Sequence, residues 1–403
     1  MTERRDREIL LCCLPSFKLV GKLLAKEGRS DESNRHEDRG KTEEREWETG
    51  NVFFMPMNAE TVAQTEPQAI EIRNLRIDPP LLLAPMAGLT HSALRRIMAG
   101  FGGVGLMSTE MLSAKRLPTE NPSISPYLIR SEREAPLSYQ LLTSTDKEIS
   151  RAMDKLHACK ADAVDLNMGC PSTAVGKFGA GVMLMEQPDE ARRITAEARK
   201  CTSLPLSAKI RLGSDADSRK LKAFCSMLEG EGIDMLTVHA RFRHEPFARN
   251  PRWEYIAEIK ECIKIPVIAN GGIFSVEDAE KCLRISNADG LMLGRGAVIK
   301  PWLFAEIARS VFGSEITAPA VSLPDMYAAF IDALSVDYRS IYRLGRLKAF
   351  THYFARNYKF GHTLACRIQS SSSMEEARER AWTFFANNSQ ESHNLISAGL
   401  QSS

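Results

Sequence analysis

The chain has 403 residues, of which 43% are apolar and 26% charged, and its formal net charge is +2. That length accommodates one large α/β barrel and a smaller domain around a substantial core, and the composition excludes a low-complexity or collagen-like chain. The near-zero charge balance leaves any basic surface to be local, and no run approaches the ~18 apolar residues of a membrane-spanning helix.

Residues 1–54 do not read as part of a domain. The run Ile9 to Leu24 is broken by Lys18 and Lys22, and Glu3, Asp6 and Glu8 are wrong for a secretory or mitochondrial leader. From Ala25 to Gly50 nearly every residue is polar, a composition that cannot offset the entropy of ordering it. Disorder, or an upstream start before Met55 or Met57, is expected there. Nine cysteines without a C-x-x-C pair fit reduced thiols, and nothing has metal-ligand spacing. A monomeric cytoplasmic protein without metal is the expectation.

From Ile70 the texture changes to short apolar strands alternating with amphipathic helices. Strands are expected at 81–84, 104–108, 137–142, 163–166, 206–210, 235–238, 266–269 and 290–293. Helices are expected from Ser92 to about Gly100, from Lys147 to Cys159, and along the face Ala191, Ile194, Ala198 and Cys201. Another carries Leu221, Phe224, Cys225 and Leu228 at i, i+3, i+4 and i+7. Ser275 with Asp278 three residues on reads as an N-cap, and Pro301 as a first helical residue. Gly100-Phe101-Gly102-Gly103-Val104-Gly105 matches a dinucleotide fingerprint. It follows a helix and precedes a strand, the reverse of what such a site needs, so a helix stop and turn are expected.

Eight strand–helix units in about 240 residues indicate a (β/α)8 TIM barrel, with an open doubly wound sheet as the lesser alternative. Chemistry in such barrels sits on the loops leaving the strands' C-terminal ends. The unusual polar residues fall there: Pro85-Met86-Ala87-Gly88, Gln140, Asn167 to Pro171, Lys209 with Arg211, His239-Ala240-Arg241, Asn270-Gly271-Gly272 and Gly294-Arg295-Gly296. Lys209 and Arg211 are two apart, hence on one face of their strand. The glycine pairs after strands seven and eight stand where barrels commonly hold phosphate. Cys170 lies between Gly169 and Pro171 on a loop with little freedom, either as a small apolar residue or as a reactive thiol.

After the barrel (70–315), residues 321–386 read as a small C-terminal helical domain, and 387–403 as a polar, disordered tail. Between Tyr338 and Gln369 stand seven Arg or Lys and no Asp or Glu, interleaved with Tyr338, Tyr342, Phe350, Tyr353, Phe354, Tyr358 and Phe360. Either the aromatics pack on the barrel beneath solvated charges, or the stretch meets a polyanion. The charge imbalance favours RNA, with Arg343, Arg346 and Lys348 as contacts.

The order of these strand-end motifs closely resembles the tRNA-dihydrouridine synthase family from about Ile70 to Phe385. The most specific pieces are Leu83 to Gly88, Asn167 to Pro171, Lys209-Ile210-Arg211, His239-Ala240-Arg241 and Gly294-Arg295-Gly296. The resemblance implies an FMN barrel with a helical tRNA-binding domain that uses NADPH to reduce a uracil in tRNA. It places Pro85, Met86, Ala87, Gln140, Lys209 and His239 on the flavin. Asn270, Gly271, Gly272, Gly294 and Arg295 fall at its ribityl phosphate, and Cys170 is the proton donor. The chain departs from the family at Gly272, where aspartate is common, and at Phe242, where threonine is. A dihydroorotate-dehydrogenase-like FMN barrel, or an RNA-binding barrel without turnover, is the alternative.

Overall fold

The computed structural model describes residues 69–318 and 320–388; the expectations for residues 1–54 and for the tail beyond 388 lie outside these. It opens with an antiparallel hairpin, β1 (Ile70–Ile72) and β2 (Leu75–Ile77). Then come β3 (Leu81–Leu83), α1 (Ser92–Phe101), β4 (Met107–Ser108), β5 (Leu112–Ser113), β6 (Leu137–Leu142), α2 (Ile149–Ala158) and β7 (Ala163–Met168). A one-turn α3 (Thr173–Gly176) precedes α4 (Pro188–Cys201), β8 (Leu206–Ile210), α5 (Ser218–Gly230), β9 (Met235–His239) and α6 (Glu254–Lys260). The barrel ends with β10 (Val267–Asn270), α7 (Val276–Ser286), β11 (Gly290–Leu293), a short α8 (Arg295–Ile299) and α9 (Leu303–Phe312).

Among the described residues, parallel strands run in the order β3-β11-β10-β9-β8-β7-β6-β4. A parallel bridge between Leu82 and Leu106 joins the last strand's approach to the first and closes the barrel. The order follows the sequence around the ring, as the right-handed β-α-β rule requires. Short strands of Leu, Ile, Val and Ala bury both faces, one towards the lumen and one under the helices. Leu221, Phe224, Cys225 and Leu228 are all buried on α5, as their spacing requires. Ser275 Oγ accepts from the Asp278 amide at 3.2 Å and starts α7.

The structure moves several boundaries, and β7 runs on to Met168 rather than ending at Leu166. The second strand begins at Met107 rather than Val104, because only from there does the backbone pair with β6. The strand expected from Pro266 starts at Val267, although the Pro266 carbonyl still accepts from Leu236 N. The helix expected from Pro301 starts at Leu303, after the unforeseen α8. The fingerprint-like glycines end α1: Gly102 and Gly103 have φ of 80° and 79°. The initial hairpin was also unforeseen. Its Ile70, Ile72, Leu75 and Ile77 pack with lumen residues Leu82, Ala163, Met235 and Ile268, so it plugs the N-terminal end of the barrel.

Four helices follow: α10 (Leu323–Asp337), α11 (Ser340–Phe354), α12 (Gly361–Gln369) and α13 (Met374–Asn387). Their centre is aromatic, with Tyr327, Phe330, Phe350, Phe354, Tyr358, Phe384 and Phe385 buried together and the Phe330 and Phe350 centroids 4.1 Å apart. Most of the aromatics interleaved with the basic residues are therefore core; Tyr342 and Phe360 remain exposed. Arg96 of α1 pairs with Asp337 at 2.8 Å, and Asn357 Nδ2 donates to the Ile299 carbonyl at 2.6 Å, which tie these helices to the barrel.

Candidate active site

The polar residues expected at strand ends converge at the C-terminal mouth of the barrel. Alternation sends Asp165 and Asn167 of β7 to one face, and Ser207 and Lys209 of β8 likewise. The strand register sets Gln140 beside Asp165, Asp165 beside Ser207 and Asn167 beside Lys209. Gln140 Nε2 donates to Asp165 Oδ2 at 2.7 Å, and Ser207 Oγ donates to Asp165 Oδ1 at 2.6 Å. The other end of the Gln140 amide accepts from Asn167 Nδ2 at 2.8 Å. Burial pushes the Asp165 carboxyl up, while the Ser207 and Gln140 donors and the Lys209 charge oppose that shift.

This network ends on the cysteine loop. Asn167 Oδ1 accepts from the amides of Gly169 and Cys170 at 3.2 and 3.0 Å, and Arg211 Nε donates to the Gly169 carbonyl at 3.2 Å. Both faces of the loop are thereby pinned by side chains from neighbouring strands. Cys170 is half-buried, packed against Met111, Val175 and Ala180. Lys209 and Arg211 both feel its charge.

Beside this loop, over the next strands, lies a cationic floor. Lys209 Nζ donates to Asn270 Oδ1 at 2.9 Å, and Asn270 Nδ2 donates to the Met292 carbonyl at 2.7 Å. Burial pulls the Lys209 ammonium down to about 8, with Asp165 opposing, and pulls Arg211 down to about 10. His239 is held well below its usual range, first by burial and then by Lys209, Arg211, Arg241 and Arg295, so it is neutral. Arg241 Nη1 lies 3.1 Å from His239 Nε2. A guanidinium only donates, so Nε2 accepts and Nδ1 carries the ring's proton. The Arg295 and Arg211 guanidiniums lie 4.7 and 5.5 Å from the Phe247 ring centre, a half-exposed aromatic that the sequence argument had passed over.

Gly271 and Gly272 line the same side with φ of 112° and 80°. A Cβ on Gly271 would stand 2.7 Å from His239 Cδ2, and one on Gly272 would stand 2.7 Å from Pro251 Cγ. The aspartate common elsewhere at Gly272 has no room here. The Phe242 ring, at the second departure, packs edge-on against Tyr255 under Arg252. Two strands further round from β10, Met86 N donates to Thr90 Oγ1 at 2.9 Å and Gly88 N to Glu110 Oε1, which sets the course of Pro85–Ala87. Met86 also approaches Gly294, the residue before α8.

The mouth fits FMN. Lys209, Arg211, Arg241 and Arg295 converge on His239, and the hydrogen bonds that Arg211 and Arg241 donate there go to carbonyls and an imidazole, not to a carboxylate. That leaves a net positive cradle for a phosphate and an electron-rich ring.

Of the residues expected to meet RNA, Arg343 donates to the carbonyls of Tyr338 and Ser335 at 2.6 and 2.8 Å, closing the end of α10. The Arg346 guanidinium lies 4.2 Å from the buried Tyr338 ring centre and 5.8 Å from that of the exposed Tyr342. Lys348 is half-buried on α11. Asp165, Ser207 and Glu110 were missed. Their signal was a polar residue two positions from another polar residue in an apolar strand, which spacing shows only once the lumen face is known.

The dihydrouridine synthase family model matches residues 82–384. A probable tRNA-dihydrouridine synthase of Rhodobacter capsulatus is 36% identical over 250 residues, covering 60% of this chain and 75% of that protein. Its counterpart in Rickettsia bellii is 34% identical over 270 residues, covering 65% and 82%. A tRNA-dihydrouridine(16) synthase of Pseudomonas putida is 34% identical over 245 residues, covering 58% and 75%. With barrel and helices matched as one, the chain belongs to the dihydrouridine synthase family.

Proposed function

We propose that this protein reduces the C5–C6 double bond of a uridine in tRNA, with FMN in the barrel mouth, NADPH as reductant and Cys170 as proton donor. One observation carries the reading: a half-buried thiol on a loop pinned by Asn167 and Arg211, one strand from Lys209 and two from neutral His239. Bound there, FMN supplies the hydride that reaches uracil C6. Pro85–Ala87, Gln140, Lys209 and His239 border the ring, and Asn270–Gly272 with Gly294 and Arg295 take the phosphate. His239 offers its Nδ1 proton as a hydrogen bond, and Lys209 offers positive charge where the ring becomes anionic. Cys170 gives its proton to C5, and Lys209 and Arg211 stabilise the thiolate left behind.

A uracil in folded RNA reaches this depth only when turned out of its stack. The 321–386 helices present Arg356, Lys359 and Arg367 with exposed Tyr342 and Phe360, the pairing that holds a backbone and stacks bases. The test uses purified protein, FMN and NADPH with unmodified tRNA. NADPH oxidation should depend on tRNA and leave one dihydrouridine per NADPH consumed. Reduction of the bound flavin by dihydroorotate, with no turnover on tRNA, would refute the reading.

A further inference from the structure

Three side-chain atoms meet the seam between the barrel and the helical domain without hydrogen-bond partners. They are Glu110 Oε2, His91 Nδ1 and Arg346 Nε, all buried. Glu110 follows β4, His91 precedes α1, and Arg346 belongs to α11. Such atoms are rare in a folded interior, and three in one place call for a physical account. Arg346 was expected to reach out to RNA. Its guanidinium instead lies over Tyr338, itself buried, and its charge acts on Glu110, His91, Tyr127 and Tyr338 together. Arg95, the other cation near Glu110, is bonded to Glu134 at 2.6 Å and to the Thr90 and Ile129 carbonyls. Its charge is largely met by Glu134. That leaves Arg346 as the main counter-charge for Glu110, and Glu110 Oε1 takes the amide of Gly88, the residue that ends the Pro85–Ala87 loop.

We propose that Arg346 is a positioning residue for the cofactor loop: held over Tyr338 by the helical domain, it supplies the counter-charge that keeps the Glu110 carboxylate on the Gly88 amide and so sets the course of Pro85–Ala87. The helical domain then acts on the flavin side of the mouth as well as on RNA. This rests on the reading of Pro85–Ala87 as part of the FMN site.

The test is a double-mutant cycle on FMN affinity, by quenching of flavin fluorescence with flavin-stripped full-length protein and no tRNA. Arg346→Gln and Glu110→Gln should each raise the FMN Kd about tenfold, the size of a coupling between neighbouring charged residues. The double variant should be no weaker than the weaker single, because both remove one interaction. Arg346→Lys, which keeps the charge, should restore most of the affinity. If Arg346→Gln does not fold, Arg346→Met closes the same cycle. Losses that multiply in the double variant would overturn the proposal. So would an Arg346→Gln protein that binds FMN as the wild type does and loses only tRNA affinity. Wild-type protein that binds no FMN would remove the flavin reading itself, a result separate from any of these.

Discussion

Replacing Cys170 by alanine separates a proton donor from a packing residue, because the two roles differ in size and in which step they touch. Cys170 is half-buried and packs on Met111, Val175 and Ala180. Removing one sulfur from such a partly exposed place costs on the order of 1 kcal/mol of stability, at the low end of large-to-small core changes. The loop stays in place, because Asn167 Oδ1 holds the backbone amides of Gly169 and Cys170 and Arg211 holds a backbone carbonyl, none of which involves the thiol. Loss of a general acid is larger, about 10² to 10⁴ in rate, or roughly 3–5 kcal/mol on the barrier. FMN binding and flavin reduction by NADPH should therefore be near normal in Cys170→Ala. Re-oxidation of the reduced flavin by tRNA should slow by two to four orders of magnitude. Stopped-flow absorbance at the flavin band follows both half-reactions on one sample. Full-rate re-oxidation by tRNA would refute the assignment, and so would a protein that loses flavin while the surviving fraction reduces uridine normally.

Two further outcomes follow from the charges in the mouth and on the helices. Lys209 has its ammonium pulled down to about 8, so the cation that favours an anionic ligand is present below that pH and lost above it. FMN affinity should fall as pH rises from 7 to 9, and Lys209→Met should bind weakly but without that slope; a slope that persists would assign it to another group. Changing the exposed Arg356, Lys359 and Arg367 together to alanine should weaken tRNA binding and shallow its salt dependence by up to about three units of slope, without touching flavin reduction by NADPH. An unchanged salt slope would make these side chains a solvated face.

The barrel was legible in the residue order because its signals are local. A run such as Leu206 to Ile210, a stop at a glycine or proline, and a helical face such as Leu221, Phe224, Cys225 and Leu228 each show within a few residues. The rule that strand C-terminal ends carry chemistry then placed Gln140, Cys170, Lys209, His239 and Asn270 at one mouth, where the structure has them. What the tertiary structure alone decided is which of these side chains meet, and which way a charge points. Gln140, Asp165 and Ser207 come from three strands and join only through the register of the closed sheet. The basic stretch from Tyr338 to Gln369 shows its excess of charge in the sequence. Yet whether Arg343 closes a helix, Arg346 lies over Tyr338, or Tyr338, Phe350 and Phe354 become core depends on which faces the neighbouring helices cover. Charge and periodicity belong to the chain, whereas the direction of a side chain is set by residues far away in it, so the seam where Arg346 lies over Tyr338 exists only once both domains have packed.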